Sequence, residues 1–486
     1  VPATLDRGPD RKPQRYSPFE RRRRAAARAA LYGSFVLLAV AAIGGARFMQ
    51  RPLRPGEAED WLFVKYARLA EVDLLRRYLR IDTSYPGGSE VAGAEFLARE
   101  LAAAGIPAVV ERLGERQANL WAFLEGEDPR ALVLHHHLDV EAVADAAEWT
   151  YPPFAAEISG PWLYARGAYD MKSTGAAQLQ ALLDLARANR RPRRSLLLLA
   201  TSGEERGSVL GSKWIVEQHP ELVERMWAVL TEGGVVEAKG PGMVKYWGIE
   251  RLQKAYATLT VCGSDRAALE SLRNIINGRT PESWQPRLLP EVELMLRAYA
   301  PSRDRPDLRR SLAQPAELVH DVEAVQALPA YLRVLLHDEV QAGPVTAAPG
   351  GGWELLIRFL LLPDSDFDQV RRELVPDSLL TGFAVSLHRA TAAREASPVE
   401  HPLYQTLVDL VREHYPGVPV GSWVLATTAT DSRYFRSAGV PSYGFSPFPF
   451  VATETYTAGH RNERIGLRAY VEGVRLYGEV ARRLAQ

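Results

Sequence analysis

Apolar positions along this chain follow two alternating patterns. Short unbroken apolar runs bounded by turn-forming residues are interleaved with longer stretches in which apolar residues return every three to four positions. Runs at residues 119–124, 131–135, 195–200 and 227–230 predict buried strands, and residues 174–188 and 209–218 predict helices between them. Upstream, helical periodicity over 61–79 is broken by Asp82-Thr83-Ser84-Tyr85-Pro86-Gly87-Gly88 and resumes over 89–104. Such alternation predicts an α/β fold, whose ligands gather at the carboxyl ends of the strands.

From about Tyr246 to Ala396 the pattern changes. A strand at 255–262 leads into a helix at 265–276; after a Pro/Arg-rich stretch come a strand at 354–361 and a helix at 365–374. This reads as a small α+β insertion. Strand and helix then return, ending in a helix over 467–484. The expected organisation is a first domain in two parts, 57–245 and 397–486, interrupted by an inserted domain at 246–396.

The amino-terminal stretch differs again. Residues 1–28 are rich in Arg and Pro and predict a disordered basic tail. Residues 29–46 carry no charge, and 29–48 are long enough for a single transmembrane helix, with Tyr32 and Phe48 at its interfaces. The preceding arginines predict a cytoplasmic amino terminus and a catalytic domain on the extracytoplasmic side. A cleaved signal peptide would need an unusually long basic region and a shorter apolar one. A buried soluble helix fits poorly with Arg21 to Arg24.

Composition narrows the chemistry. A chain of 486 residues has room for two domains and a large core. Its formal net charge of zero gives no global basic surface for nucleic acid. The lone cysteine, Cys262, rules out an intrachain disulfide framework and a multi-cysteine zinc cluster, and reads most simply as a buried strand residue. Any bound metal would have to be held by His, Asp and Glu.

Those residue types recur where strands run out. The 131–134 run ends in His137-Leu138-Asp139, where strand alternation lets the imidazole and carboxylate share a face, as in a zinc-binding histidine held by an acid. Asp170 precedes a helix, Glu204-Glu205 follow the strand at 195–200, Glu232 precedes Gly233-Gly234, and His460 precedes the last helix. Each has a bland reading: a strand cap, a helix amino-terminal acid, a solvated loop, a turn acid. Their repeated placement at strand ends favours a shared site.

The ordered set His-x-Asp, Arg166-Gly167-Ala168-Tyr169-Asp170-Met171-Lys172, Glu204-Glu205, Glu232-Gly233 and His460-Arg461-Asn462-Glu463 resembles a known family. It is similar to the di-zinc metallopeptidases that include aminoacylase, glutamate carboxypeptidase, acetylornithine deacetylase and vacuolar carboxypeptidase S (peptidase clan MH). The membrane-anchored carboxypeptidase S branch is the nearest match, through the anchor and Trp149 with Pro152-Pro153-Phe154. The likeness covers roughly 60–245 and 400–486. It implies a zinc-peptidase-like α/β domain with a mixed sheet, interrupted by a smaller α+β lid and dimerisation domain. It also implies two Zn²⁺, with Co²⁺ or Mn²⁺ as substitutes. Asp170 would bridge the ions, Glu205 and His460 would complete one site, and His137 and Glu232 the other. Asp139 would orient His137 and Glu204 would be the general base. The implied substrate is a peptide or an N-acyl amino acid, with the insert as a homodimer surface.

The insert departs from the family. The lid histidine expected after its first strand is replaced by Val261-Cys262-Gly263-Ser264-Asp265-Arg266. The family's Gly-x-x-Asn-x-x-Pro becomes Gly343-Pro344-Val345-Thr346-Ala347-Ala348-Pro349, without the asparagine. His320 or His337 could replace the donor, or Arg251, Lys254 or Arg266 could serve a different substrate. Alternatively, the chain could be a metal-binding, membrane-associated protein without turnover. Arg433 and Arg358 also match family positions that face substrate; for Arg433 a salt bridge with Asp431 is the competing reading.

Overall fold

The computed structural model describes residues 61–188, 190–239, 243–278, 285–389, 395–449 and 456–485. The expected basic tail and membrane anchor lie outside them. Among the described residues no helix is long and apolar enough to cross a membrane.

The first strands are β1 (Ala108–Arg112), β2 (Ala118–Leu124), β3 (Asp128–His137), β4 (Glu157–Ser159) and β5 (Trp162–Tyr164). Then come β6 (Arg194–Thr201), β7 (Met226–Thr231), β8 (Val235–Ala238), β9 (Val244–Gln253) and β10 (Ala255–Gly263). The remainder are β11 (Glu339–Ala347), β12 (Trp353–Leu361), β13 (Ala384–Arg389), β14 (Val420–Leu425), β15 (Ser442–Gly444) and β16 (Arg464–Gly466). A large mixed sheet has the order β1-β2-β6-β3-β7-β15-β9-β14, with β8 on β9. At its centre β6, β3 and β7 run parallel, so their carboxyl ends open on one edge.

The apolar runs are continuous because both faces of these strands are covered. Leu132, Leu134, Leu196, Leu198 and Leu230 pack on one face among residues of helices Glu90–Ala103, Lys172–Arg187 and Leu467–Ala485. Ala131, Val133, Leu197, Leu199 and Val229 face the opposite way, with Ile215 of the helix Ser212–Gln218. Burying a Leu or Val side chain contributes about 1.5–3 kcal/mol, so these faces anchor the strand ends where the site is built. Ser89 starts the helix Glu90–Ala103, its hydroxyl accepting the Ala92 amide.

A second, antiparallel sheet has the order β11-β12-β10-β13. Ala257, Leu259 and Val261 of β10 and Leu355, Ile357 and Phe359 of β12 pack on helices Arg266–Asn277 and Phe367–Leu374. The alternate residues, including Tyr256, Thr258 and Arg358, occupy the opposite face. Cys262 is half-buried, not buried as a strand-core residue would be.

The sheets change over at Lys254, not at residue 246. β9 is paired with β14 and β8 in the large sheet and is almost wholly buried. Its charged residues disguise it: Glu250 is paired with Arg436 at 2.8 Å, and the Arg251 guanidinium is bound to Ser397 and Ser422. The Pro/Arg-rich stretch is helical over Pro290–Tyr299 and Pro306–Ala313, and packs on Tyr246, Leu252 and Val424 of the large sheet.

Candidate metal centre

Three donors converge at the open edge. His137 ends β3, and its Nε2 lies 3.1 Å from Asp170 Oδ1 and 3.9 Å from Glu232 Oε1. One donor atom from each of His137, Asp170 and Glu232 fits within 4.8 Å of the others. The other ring nitrogen of His137, Nδ1, is 2.9 Å from the Asp139 carbonyl oxygen and 3.4 Å from its carboxylate. A carbonyl only accepts, so Nδ1–H donates to it, and Nε2 is the nitrogen turned to the carboxylates, where a metal would take the place of its proton.

The Asp139 carboxylate accepts the amides of Glu204 at 3.0 Å and Glu205 at 3.1 Å. The two glutamates occupy a single turn, Glu204–Arg206, between Gly203 (φ 69°) and Gly207 (φ 88°), a backbone that favours glycine at both ends. The Asp170 turn is held from the other end of the chain. Buried Glu463 accepts the amides of Tyr169 at 2.8 Å and Asp170 at 3.2 Å, and pairs with Arg166 at 2.7 Å. Glu463 and Arg166 both lie in the motifs quoted above, where spacing alone marks neither as a holder of the Asp170 turn.

The electrostatics are those of a cation site. Burial, then the nearby Asp431 carboxylate, pushes Glu204 up to about 8. Burial, then Asp170, pushes Glu205 up to about 9, and the same two causes hold Glu232 well above the usual carboxylate range. Burial disfavours the charged form of His137, but Asp139, Asp170 and Glu232 together outweigh it and hold its pKa well above the usual value. Glu205 Oε1 is buried without a hydrogen-bond partner. Crowded carboxylates, an orphaned oxygen and an imidazole nitrogen turned toward them fit a divalent metal with N/O ligands, zinc, cobalt and manganese among them.

His460 is exposed and outside the three-donor group; its carbonyl accepts from Arg166, the partner of Glu463. Arg433 is buried; it donates from Nη1 to the Thr430 carbonyl at 2.9 Å, while its Nε has no partner. Among the described residues no Arg433–Asp431 ion pair is formed; Asp431 accepts from hydroxyls instead. Arg433 and Glu204 line a cleft of about 830 Å³ whose other wall is Tyr256, Thr258, Arg358 and Leu387 of the second sheet.

The proposed substitutes for the lid histidine lie elsewhere. His337 is buried 3.5 Å from Glu339, and His320 is exposed on the helical stretch. Lys254 donates to the Val334 and His337 carbonyls, and Arg266 lies over the Trp353 ring. None of the four, nor Arg251, lines the cleft.

A mixed α/β sheet presenting these donors beside a buried carboxylate defines a metal-dependent hydrolase. The chain belongs to the peptidase family M20/M25/M40, whose family model matches residues 133–483. Members include dinuclear metal-binding peptidases. It is 38% identical over 123 residues to a succinyl-diaminopimelate desuccinylase from Alkalilimnicola ehrlichii, covering 25% of this chain and 32% of that protein. The chain thus spans about a third of that relative's length. An M20-family metallo-carboxypeptidase from Sulfolobus solfataricus superposes with a TM-score of 0.65 at 18% identity, over 85% of this chain and 99% of that one. A dinuclear metal-binding M20 peptidase from Bacillus subtilis gives 0.53 at 12% identity, over 88% and 99%.

Proposed function

We propose that this metallohydrolase cleaves an amide bond beside an amino acid, releasing a carboxyl-terminal residue from a peptide or the acyl group of an N-acyl amino acid. The observation that carries this reading is one cleft holding Glu204 beside the donor group, with Arg433 and Arg358 on its two walls. A desuccinylase and a metallo-carboxypeptidase among its relatives support the same amide chemistry.

In this reading His137, Asp170 and Glu232 would hold one metal ion, and Asp170, Glu205 and His460 would hold the other. When bound, two such ions polarise the scissile carbonyl and lower the pKa of the attacking water. Asp139 fixes the His137 ring and the glutamate turn. Glu204 takes the proton from the attacking water and delivers it to the leaving amine as the C–N bond breaks. The arginines receive the substrate carboxylate.

We also place the protein nearest the carboxypeptidase S branch. Residues 29–48 would anchor it in a membrane with the cleft on the extracytoplasmic side, and the second sheet would provide a homodimer surface. The test is hydrolysis of mixed dipeptides and N-acyl amino acids by the zinc-loaded protein, followed by mass spectrometry. Glu204→Gln is expected to retain metal and lose turnover by at least about 100-fold. Loss of metal in that variant would make Glu204 a ligand and overturn its role as base.

A further inference from the structure

Behind the metal donors lies another carboxylate that neither metal nor substrate engages in this reading. Asp431 is 1% exposed. Its Oδ1 accepts from the Ser208 hydroxyl, and its Oδ2 from Ser212 Oγ at 2.7 Å and Thr201 Oγ1 at 3.4 Å. His135 Nε2 stands 3.6 Å away.

These partners sit on separate pieces of backbone that meet at the site. Thr201 ends β6, and His135 lies two residues before the donor His137. Ser208 and Ser212 close the loop that carries Glu204 and Glu205; the Ser208 amide returns to the Gly203 carbonyl at 2.7 Å. Asp431 itself precedes the helix Ser432–Ser437, which carries Arg433. From that helix the Tyr434 hydroxyl donates to the Gly207 carbonyl at 2.7 Å. The loop therefore hangs between two carboxylates. Asp139 grips its first amides and Asp431 its last hydroxyls.

We propose that Asp431 is a positioning residue for turnover, locking the Glu204 loop to the Arg433 helix so that base and substrate-holding guanidinium keep a fixed separation. A buried carboxylate that serves only stability could be replaced without altering the chemistry of the folded molecules. One that sets this separation could not, because a misplacement of about 1 Å can cost about 100-fold in rate. The inference rests on Glu204 as the base.

The experiment uses the metal-loaded full chain and compares Asp431→Asn, Ser212→Ala, Ser208→Ala and Asp431→Asn/Ser212→Ala with the unmutated protein and Glu204→Gln. Asp431→Asn is expected to keep its metal, lower kcat by about 100-fold and raise KM for a carboxylate-bearing substrate. Ser212→Ala should cost several-fold alone and nothing further in the Asp431→Asn background, because its hydroxyl acts through that carboxylate. Additive effects, or a lowered melting temperature with unchanged kcat per folded molecule, would overturn the proposal. Should Asp431→Asn fail to fold, the two serine variants decide: unchanged kcat in both rejects it, and reduced kcat with metal retained supports it. Equal turnover by the unmutated protein and Glu204→Gln would reject the base assignment itself, a separate failure.

Discussion

His137 presents Nε2 to the donor group because its Nδ1–H donates to the Asp139 carbonyl, which leaves the Asp139 carboxylate to hold the Glu204 and Glu205 amides. The His-x-Asp spacing made the pairing legible in the sequence. It did not reveal that the backbone oxygen would be the closer partner, since alternation places side chains and says nothing of carbonyls. The acids that surround this ring make the metal-free fold sensitive to pH. Glu204 and Glu205 have folded-state pKa values raised to about 8 and about 9 by burial and neighbouring carboxylates. Between the unfolded carboxylate range and those values the folded state binds more protons than the unfolded one. Their contribution is fully present below the unfolded pKa and is lost as pH rises through 8 to 9. Chelator-treated protein should therefore melt at progressively lower temperature as pH is raised from about 5 to about 9. A bound divalent metal would favour the deprotonated forms of both glutamates, so its stabilising increment should grow over the same interval. Calorimetry with and without zinc checks both slopes; an increment independent of pH would mean that these glutamates are not displaced from their protonated form by metal.

At the scale of elements, the central strands could be read from the sequence because both faces are apolar, and their carboxyl ends carried the motif residues. β9 was hidden because its inward polar groups, Glu250 and Arg251 among them, find partners on distant segments. Likewise the helices at 290–299 and 306–313 were masked by prolines that stand at their first turns, where proline is tolerated. His460 and Glu463 illustrate a second limit. Sequence order placed both near the site, yet the structure sets Glu463 at the Asp170 turn and leaves the His460 side chain exposed. Glu463→Gln keeps an acceptor for the Tyr169 and Asp170 amides but removes the charge that Arg166 faces at 2.7 Å. Metal affinity should fall by about 10–100-fold, as for other groups that orient ligands, and the buried arginine left behind should cost about 3–5 kcal/mol of stability. Zinc competition with a chelator measures the first and denaturant titration the second. Unaltered affinity would show that the Asp170 turn keeps its shape without this carboxylate.

The whole molecule adds what no single motif contains, a cleft with one wall from each sheet. The chain passes from β9 to β10 at Lys254, whose Nζ donates to the carbonyls of Val334 at 2.7 Å and His337 at 2.8 Å. One lysine thus ties the crossover to the segment leading into β11. Arg358 reaches the cleft because its β12 neighbours Ile357 and Phe359 face the small core, which turns Arg358 to the opposite face beside Thr258. Alternation made that face legible; the large-sheet wall it looks toward was not, because it depends on how two sheets meet. Arg433 lies on that second wall, so a substrate carboxylate bound between the two guanidiniums would draw the walls together. Arg358→Ala should raise KM for a substrate with a free carboxylate about tenfold or more, the scale of one charge-assisted hydrogen bond. It should leave kcat unchanged and have no effect on the same substrate capped as a carboxamide. In combination with Arg433→Ala, the losses should be non-additive if both arginines grip one carboxylate, and additive if each holds a separate group. A fall in kcat at constant KM would place Arg358 at the reacting carbonyl instead, in the role left open by the missing lid histidine.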